Sequence, residues 1–248
     1  MKNYAIVTGA SSGIGAATAK LLAANGFHVI AGARRMDRLA ELAKSGPNIE
    51  VFELDVTDQQ SVDAFAANLV GKPVSVLINN AGGAFDASPI EDSDPEIWAK
   101  TFDVNVTGAV RMTKAMIPLM KKHGRGHIVL MSSTAGRIAY ENGGTYIAAK
   151  HGVAAVAGTL RLELSGQPIR ITEIAPGMVK TDEFAVTRFA GDKTKAAKVY
   201  EGVEKPLTDA DVAETIRWAV MLPEHINIDL LVVRPLAQAA QHKVHRIL

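Results

Sequence analysis

The apolar positions switch between two spacings along the chain. Tyr4-Ala5-Ile6-Val7 is a short apolar run stopped by Thr8-Gly9, the pattern of a buried strand. Residues 13 to 25 then place Ile14, Thr18, Leu21 and Leu22 at helical spacing and end at Asn25-Gly26, a helix-stop pair. The alternation continues with strands at about 27–31, 49–54 and 74–78 and amphipathic helices at about 38–44 and 61–69. Farther on, the spacing predicts a helix over about 95–122 with a break near Asn105, a strand at about 127–131 and a helix over about 144–165. A strand at about 169–174, a helix over about 210–221 and a last strand at about 230–233 complete the pattern.

Strands separated by helices build βαβ units and a parallel sheet. Strand runs apolar on both faces require helices on each side of that sheet. The expectation is therefore one doubly wound α/β domain over residues 1–248, with a seven-stranded parallel sheet and helices on both faces. Residues 181 to 206, rich in Lys, Asp and Gly, depart from the alternation. They are expected to form short helices over the strands' carboxyl ends, where such sheets place ligands.

Composition narrows the function classes. At 248 residues, 48% hydrophobic and 21% charged, the chain suits a soluble globular domain and not a disordered one. The net charge of +1 gives no electrostatic reason to expect a nucleic-acid partner. With no cysteine, disulfides, thiolate metal sites and thiol catalysis are excluded. The seven histidines show no metal-ligand spacing. No apolar run approaches the ~20 residues that span a bilayer, and the first strand begins at once, leaving no room for a signal peptide. The expected location is cytoplasmic, without a membrane partner.

Thr8-Gly9-Ala10-Ser11-Ser12-Gly13-Ile14-Gly15 joins the first strand to the first helix. Glycines there let the backbone turn sharply and approach a diphosphate, while the helix N-terminus offers free N–H groups and a positive dipole end. The spacing G-x-x-x-G-x-G differs from the commoner G-x-G-x-x-G dinucleotide fingerprint. Its place after the first strand still makes this a Rossmann-type cofactor loop. The second strand ends in Gly32-Ala33-Arg34-Arg35. An NAD site would carry an acid there for the ribose 2′-hydroxyl. Two guanidiniums suit a 2′-phosphate instead, so the predicted cofactor is NADP(H). The missing acid also argues against an S-adenosylmethionine enzyme.

With these features in place, the chain resembles the short-chain dehydrogenase/reductase family over nearly its whole length. The motifs, in order, are the glycine loop, Leu54-Asp55-Val56, Asn79-Asn80-Ala81-Gly82, Asn105, Met131-Ser132-Ser133, Tyr146-Ile147-Ala148-Ala149-Lys150 and Pro176-Gly177-Met178-Val179-Lys180-Thr181. The resemblance implies cofactor contacts from Gly9, Ser11, Ser12, Gly13, Ile14, Gly15, Arg34, Arg35, Asp55, Val56, Asn80, Ala81 and Gly82. It implies further contacts from Tyr146, Lys150, Pro176, Gly177, Val179 and Thr181. For Asn79 and Asn80 a tie between strand ends is the competing reading, and for Thr181 a helix N-cap. Stretches around Glu183-Phe184, residues 188–192, residues 222–228 and residues 244–246 resemble the NADP-dependent 3-hydroxy acid dehydrogenase branch. Ala175 and Lys180-Thr181-Asp182 depart from that branch.

The implied catalytic group is Asn105, Ser133, Tyr146 and Lys150. Tyr146 and Lys150 are four apart and share a helix face. An adjacent ammonium is expected to lower the phenol's pKa, fitting Tyr146 as the general acid–base. Ser133 would hold the substrate oxygen, and Asn105 a water linking Lys150 to solvent. A 3-hydroxy acid also needs a cation for its carboxylate. Arg188 ranks first, ahead of Arg137 and Lys180, with Phe184 covering the pocket beside Ser133 and Tyr146. Glu141 and Asn142 could reach a polar substituent.

The small apolar helix bearing Tyr146 predicts a second cover besides the sheet, read as a partner subunit in a homodimer or homotetramer. The tail from residue 234 is expected to reach across that neighbour. A carbonyl reductase of different substrate and a non-catalytic NADPH-sensing protein are the competing readings.

Overall fold

The computed structural model describes residues 3–247. Seven parallel strands lie in the order β3-β2-β1-β4-β5-β6-β7. They are β1 (Asn3–Thr8), β2 (Phe27–Ala33), β3 (Ile49–Glu53), β4 (Val74–Asn79), β5 (Gly126–Met131), β6 (Ile169–Pro176) and β7 (Leu230–Val233). The order reverses between β1 and β4, which opens a crevice beyond their carboxyl ends. This is the doubly wound arrangement the pattern predicts.

Strand periodicity divides the core in two. Ile6, Ile30, Leu77, Ile128 and Ile171 point to one face, under α3 (Gln59–Ala67), α5 (Gly108–His123) and α6 (Gly144–Glu163). Their neighbours Ala5, Val7, Val29, Val76, Val129 and Ile174 point to the other, under α1 (Gly13–Ala24), α2 (Met36–Ala43) and α9 (Asp209–Met221). Side chains alternate along a strand, so a run apolar at every position is buried on both sides.

The break near Asn105 is a π-helical turn over Asp103–Thr107, between α4 (Pro95–Phe102) and α5. Such turns mark functional positions more often than chance. Part of the second cover on α6 comes from the chain's own α4: Trp98 packs at Gly144 and Phe102 at Gly152. The expected covering helix is therefore in part the chain's own.

The divergent segment forms α7 (Phe184–Arg188) and α8 (Lys193–Lys198). The tail also differs from expectation. It folds back on its own chain as a small antiparallel pair, β8 (Gln238–Ala240) and β9 (Lys243–Val244). The Ile247 amide donates to the Gly202 carbonyl at 2.8 Å, and Arg246 donates to the carbonyls of Glu201 and Val199. Unspent backbone and guanidinium donors close this contact, which apolar periodicity does not reveal.

Candidate active site

A cleft of about 770 Å³ runs across the carboxyl ends of the strands, from the glycine loop to α7. Its size suits a dinucleotide with a small substrate. Except for Gly15, every residue expected to touch the cofactor lines it. At Gly9, φ is +65° and a Cβ would stand 2.8 Å from the Ala81 Cα. Glycine therefore permits both the turn and the close approach of the β4 loop. Asn80 fixes that approach, donating to the Thr8 carbonyl at 2.9 Å and the Gly9 carbonyl at 3.3 Å. Asn79 donates to the Thr113 hydroxyl at 2.9 Å. Asn80 thus ties the ends of β1 and β4 together, whereas Asn79 ties the end of β4 to α5.

The cationic end of the cleft holds the expected Arg34 and Arg35 and a third arginine, Arg38. Arg35 donates to the Ser11 hydroxyl at 3.1 and 2.9 Å and to the Ser12 hydroxyl at 2.9 Å. Its companion is Arg38, one turn into α2, because both donate to the Glu183 carboxylate. Arg34 is exposed and lies near Asp55. Burial pushes the Asp55 carboxyl up, but two hydrogen bonds from Thr57, with Arg34 and Arg111 nearby, hold it below its ordinary value. The Asp55-Val56 turn is further braced by Arg111, which donates to the Val56 carbonyl.

At the other end, Tyr146 and Lys150 are almost fully buried on one face of α6. The Lys150 Nζ donates to the Met131 carbonyl at 2.8 Å and lies 5.5 Å from the Tyr146 ring centre. Ser133, just past β5, accepts from the Ala135 amide at 3.1 Å and donates to the Pro176 carbonyl at 3.3 Å. The expected lowering of the Tyr146 pKa does not result from the protein's own groups. Burial pushes its hydroxyl above the ordinary phenol value and Tyr140 adds to that, while Ser133 and Arg188 pull it down. Burial also pushes the Lys150 ammonium down to about 8, with Glu173 opposing. Desolvation penalises both charged forms, so spacing on a helix does not fix the sign.

Asn105 lies behind the cleft. Its side chain donates to the carbonyls of Gly83 and Thr101, both at 2.8 Å, and accepts from the Gly83 amide at 3.2 Å. A Cβ at Gly82 would stand 2.4 Å from the Asn105 Oδ1 and 3.6 Å from the Lys150 Nζ. Asn105 and Lys150 therefore flank the same glycine, but the amide of Asn105 is spent on backbone.

Among the candidate carboxylate binders, Arg137 is committed to the buried carboxylate of Glu173. Lys180 lines the cleft with an exposed side chain. Arg188 donates to the Asn142 carbonyl at 2.9 Å and stacks near Tyr140 and Phe189, and its buried Nε has no partner. The Thr181 hydroxyl accepts from the Phe184 amide at 3.4 Å, two residues ahead of the α7 N-cap, Glu183. Sequence reasoning missed Gln238 and Gln241. Gln238 accepts from the Met178 amide at 2.8 Å, Gln241 accepts from the Thr134 hydroxyl at 2.8 Å, and both line the cleft.

Residues 3–189 match the short chain dehydrogenase family. The chain belongs to that family. As a short-chain dehydrogenase it is 48% identical over 239 residues to an uncharacterized oxidoreductase of Mycobacterium tuberculosis, covering 96% of this chain and 93% of the relative. It is 38% identical over 245 residues to the NADP-dependent 3-hydroxy acid dehydrogenase of Escherichia coli, covering 97% and 98%. A solved closed form of serine dehydrogenase complexed with NADP+ superposes with a TM-score of 0.92 at 37% identity, covering 98% of this chain and all of that one.

Among the described residues, no helix is long and apolar enough to cross a membrane.

Proposed function

We propose that this short-chain dehydrogenase uses NADP(H) to interconvert a small 3-hydroxy acid and its 3-oxo acid. The observation that carries the reading is one continuous cleft. Arg35, Arg38, Ser11 and Ser12 cluster at one end, and buried Tyr146 and Lys150 with Ser133 stand at the other. The donor set fits a phosphate, since it already gathers around a carboxylate. The relatives named for NADP and for 3-hydroxy acids support both halves.

Arg34, Arg35, Arg38 and the serines would hold the 2′-phosphate, and the glycine loop with the N-terminus of α1 the diphosphate. Asp55 and Val56 would meet the adenine. Residues 176–181 and Lys150 would hold the nicotinamide end. When bound, the cofactor supplies or accepts the hydride.

The chain's own groups handle the proton and the orientation. Tyr146 gives a proton to the carbonyl oxygen in reduction and takes the hydroxyl proton in oxidation. Ser133 donates to the same oxygen and fixes its position. Lys150 restores the proton to Tyr146, and the π-turn at Asn105 holds the water that connects Lys150 to solvent. Phe184 closes the pocket. Arg188, which lines the cleft, would bind the substrate carboxylate, and its charge makes the acid class specific.

The aromatic flank of Tyr140, Phe184 and Phe189 favours a second reading, a reductase of neutral carbonyls. A substrate panel separates the two. With NADP+, L-serine, L-allo-threonine, 3-hydroxypropanoate and 3-hydroxyisobutyrate turn over and neutral secondary alcohols do not. Turnover of neutral alcohols alone contradicts the acid assignment.

Assembly follows the same family reading. Phe102 and Val110 remain partly exposed on α4 and α5, and Leu162 is exposed on α6. Exposed apolar side chains on these helices suit self-association into a homodimer or homotetramer.

A further inference from the structure

Glu183 belongs to a stretch that resembles the 3-hydroxy acid dehydrogenase branch, but the sequence assigns its carboxylate no role. It lies just before α7, yet its carboxylate reaches the cationic end of the cleft. Arg35 donates to both of its oxygens at 2.9 Å, Ser12 donates at 3.0 Å, and Arg38 donates as well. Arg35 meanwhile holds both glycine-loop serines. One carboxylate thus takes up the donors that a ribose 2′-phosphate requires. Both anions need the same forked guanidinium contacts, and two negative groups on one set of donors repel.

The next residue ties this contact to the reacting end. Phe184 meets Tyr146 edge to face, with ring centres 5.4 Å apart. The side chains of 183 and 184 therefore bridge the two ends of the cleft, one on the glycine loop and one on the candidate acid–base.

We propose that Glu183 is an internal stand-in for the 2′-phosphate. It latches the segment from residue 181 over the cleft, and a 2′-phosphorylated nucleotide must displace it. An incoming 2′-phosphate takes Arg35, Arg38 and Ser12 from Glu183 and frees the start of α7, and with it Phe184. A nucleotide lacking that phosphate leaves the latch in place. Glu183 thereby narrows the preference for 2′-phosphorylated nucleotides that the arginines create, and couples cofactor entry to access at Tyr146. The favourable ion pairs also hold the Glu183 carboxyl below its ordinary value despite burial, so the latch is charged at neutral pH. This inference rests on the NADP(H) reading.

The test compares adenosine 2′,5′-bisphosphate with adenosine 5′-monophosphate, which differ only in the 2′-phosphate. Binding is measured by calorimetry on wild type, Glu183→Gln and Arg35→Ala. Wild type is expected to prefer the bisphosphate, and Arg35→Ala to lose the preference. Glu183→Gln removes the competing charge, so bisphosphate affinity should rise about threefold to tenfold with the monophosphate unchanged. Hydrogen exchange at residues 183–189 should speed up with the bisphosphate in wild type, and should be fast without it in the variant. If wild type and Arg35→Ala behave as expected but Glu183→Gln binds the bisphosphate no better, the latch is wrong and the cofactor reading stands. If all three proteins bind the two nucleotides alike, both are wrong.

Discussion

The ring of Phe184 meets the ring of Tyr146 edge to face, with planes 65° apart. The candidate acid–base therefore shares an apolar wall with the first residue of α7. That wall excludes water from the phenol, and burial is the largest influence on its acidity. Phe184→Ala should admit water and relieve part of the desolvation. It should speed alcohol oxidation at a given pH, because a less desolvated phenol takes up its charged form more readily, and raise KM for the substrate. Steady-state kinetics over a pH series would check both effects.

The pH dependence has a predicted sign in each direction. Lys150 is pushed down to about 8, so it loses its proton as pH rises through that value. Tyr146 is pushed upward by burial, so the proton lost in this range is that of Lys150. Carbonyl reduction, which consumes a proton, should be level below about 8 and decline above it; alcohol oxidation should rise over the same range. Lys150→Arg keeps its charge at any accessible pH, so the decline should disappear in that variant even if the overall rate falls.

Arg188 has a distinct signature. Arg188→Ala should raise KM for 3-hydroxy acids about tenfold to a hundredfold, the loss of one charge-assisted contact worth ~1.5–3 kcal/mol. Neutral alcohols should be unaffected. An unchanged KM for the acids would remove Arg188 from the substrate site.

Arg137 should matter for stability and not for substrate affinity. Its partner Glu173 is completely buried. Arg137→Ala leaves that carboxylate without its cation and should cost about 1–3 kcal/mol; the partly exposed arginine keeps the figure below that of a fully buried pair. Urea unfolding measures the loss, and Arg137→Ala/Glu173→Gln should recover most of it.

The sheet and its helices were legible because central strands such as β1 and β4 are apolar on both faces and helices such as α2 on one. The predicted strand at residues 74–78 and the observed Val74–Asn79 differ by a single residue. The break at Asn105 was legible from the family motif, and it appears as a π-turn. The meeting of Arg35 with Glu183 was not legible, because 148 residues separate them and only the placement of α7 brings them together. Arg38 looked like an ordinary helix charge for the same reason. Gln238 and Gln241 enter the cleft through a hairpin without apolar periodicity, so the tail read as an outward arm. The Tyr146 pKa failed differently: spacing identified the neighbouring ammonium, but the depth of burial, which decides the sign, is a tertiary property.

The central claim is that Tyr146 moves the proton in an NADP-dependent oxidation. The most direct measurement is absorbance at the reduced-nicotinamide band with NADP+ and L-serine or 3-hydroxyisobutyrate, for wild type and Tyr146→Phe. NADP+ binding to both proteins is confirmed by calorimetry. Wild type should reduce NADP+ and show far less turnover with NAD+. Tyr146→Phe should bind NADP+ normally and turn over about 10²–10⁴ times more slowly. A Tyr146→Phe protein that binds the cofactor and keeps wild-type turnover would contradict the account.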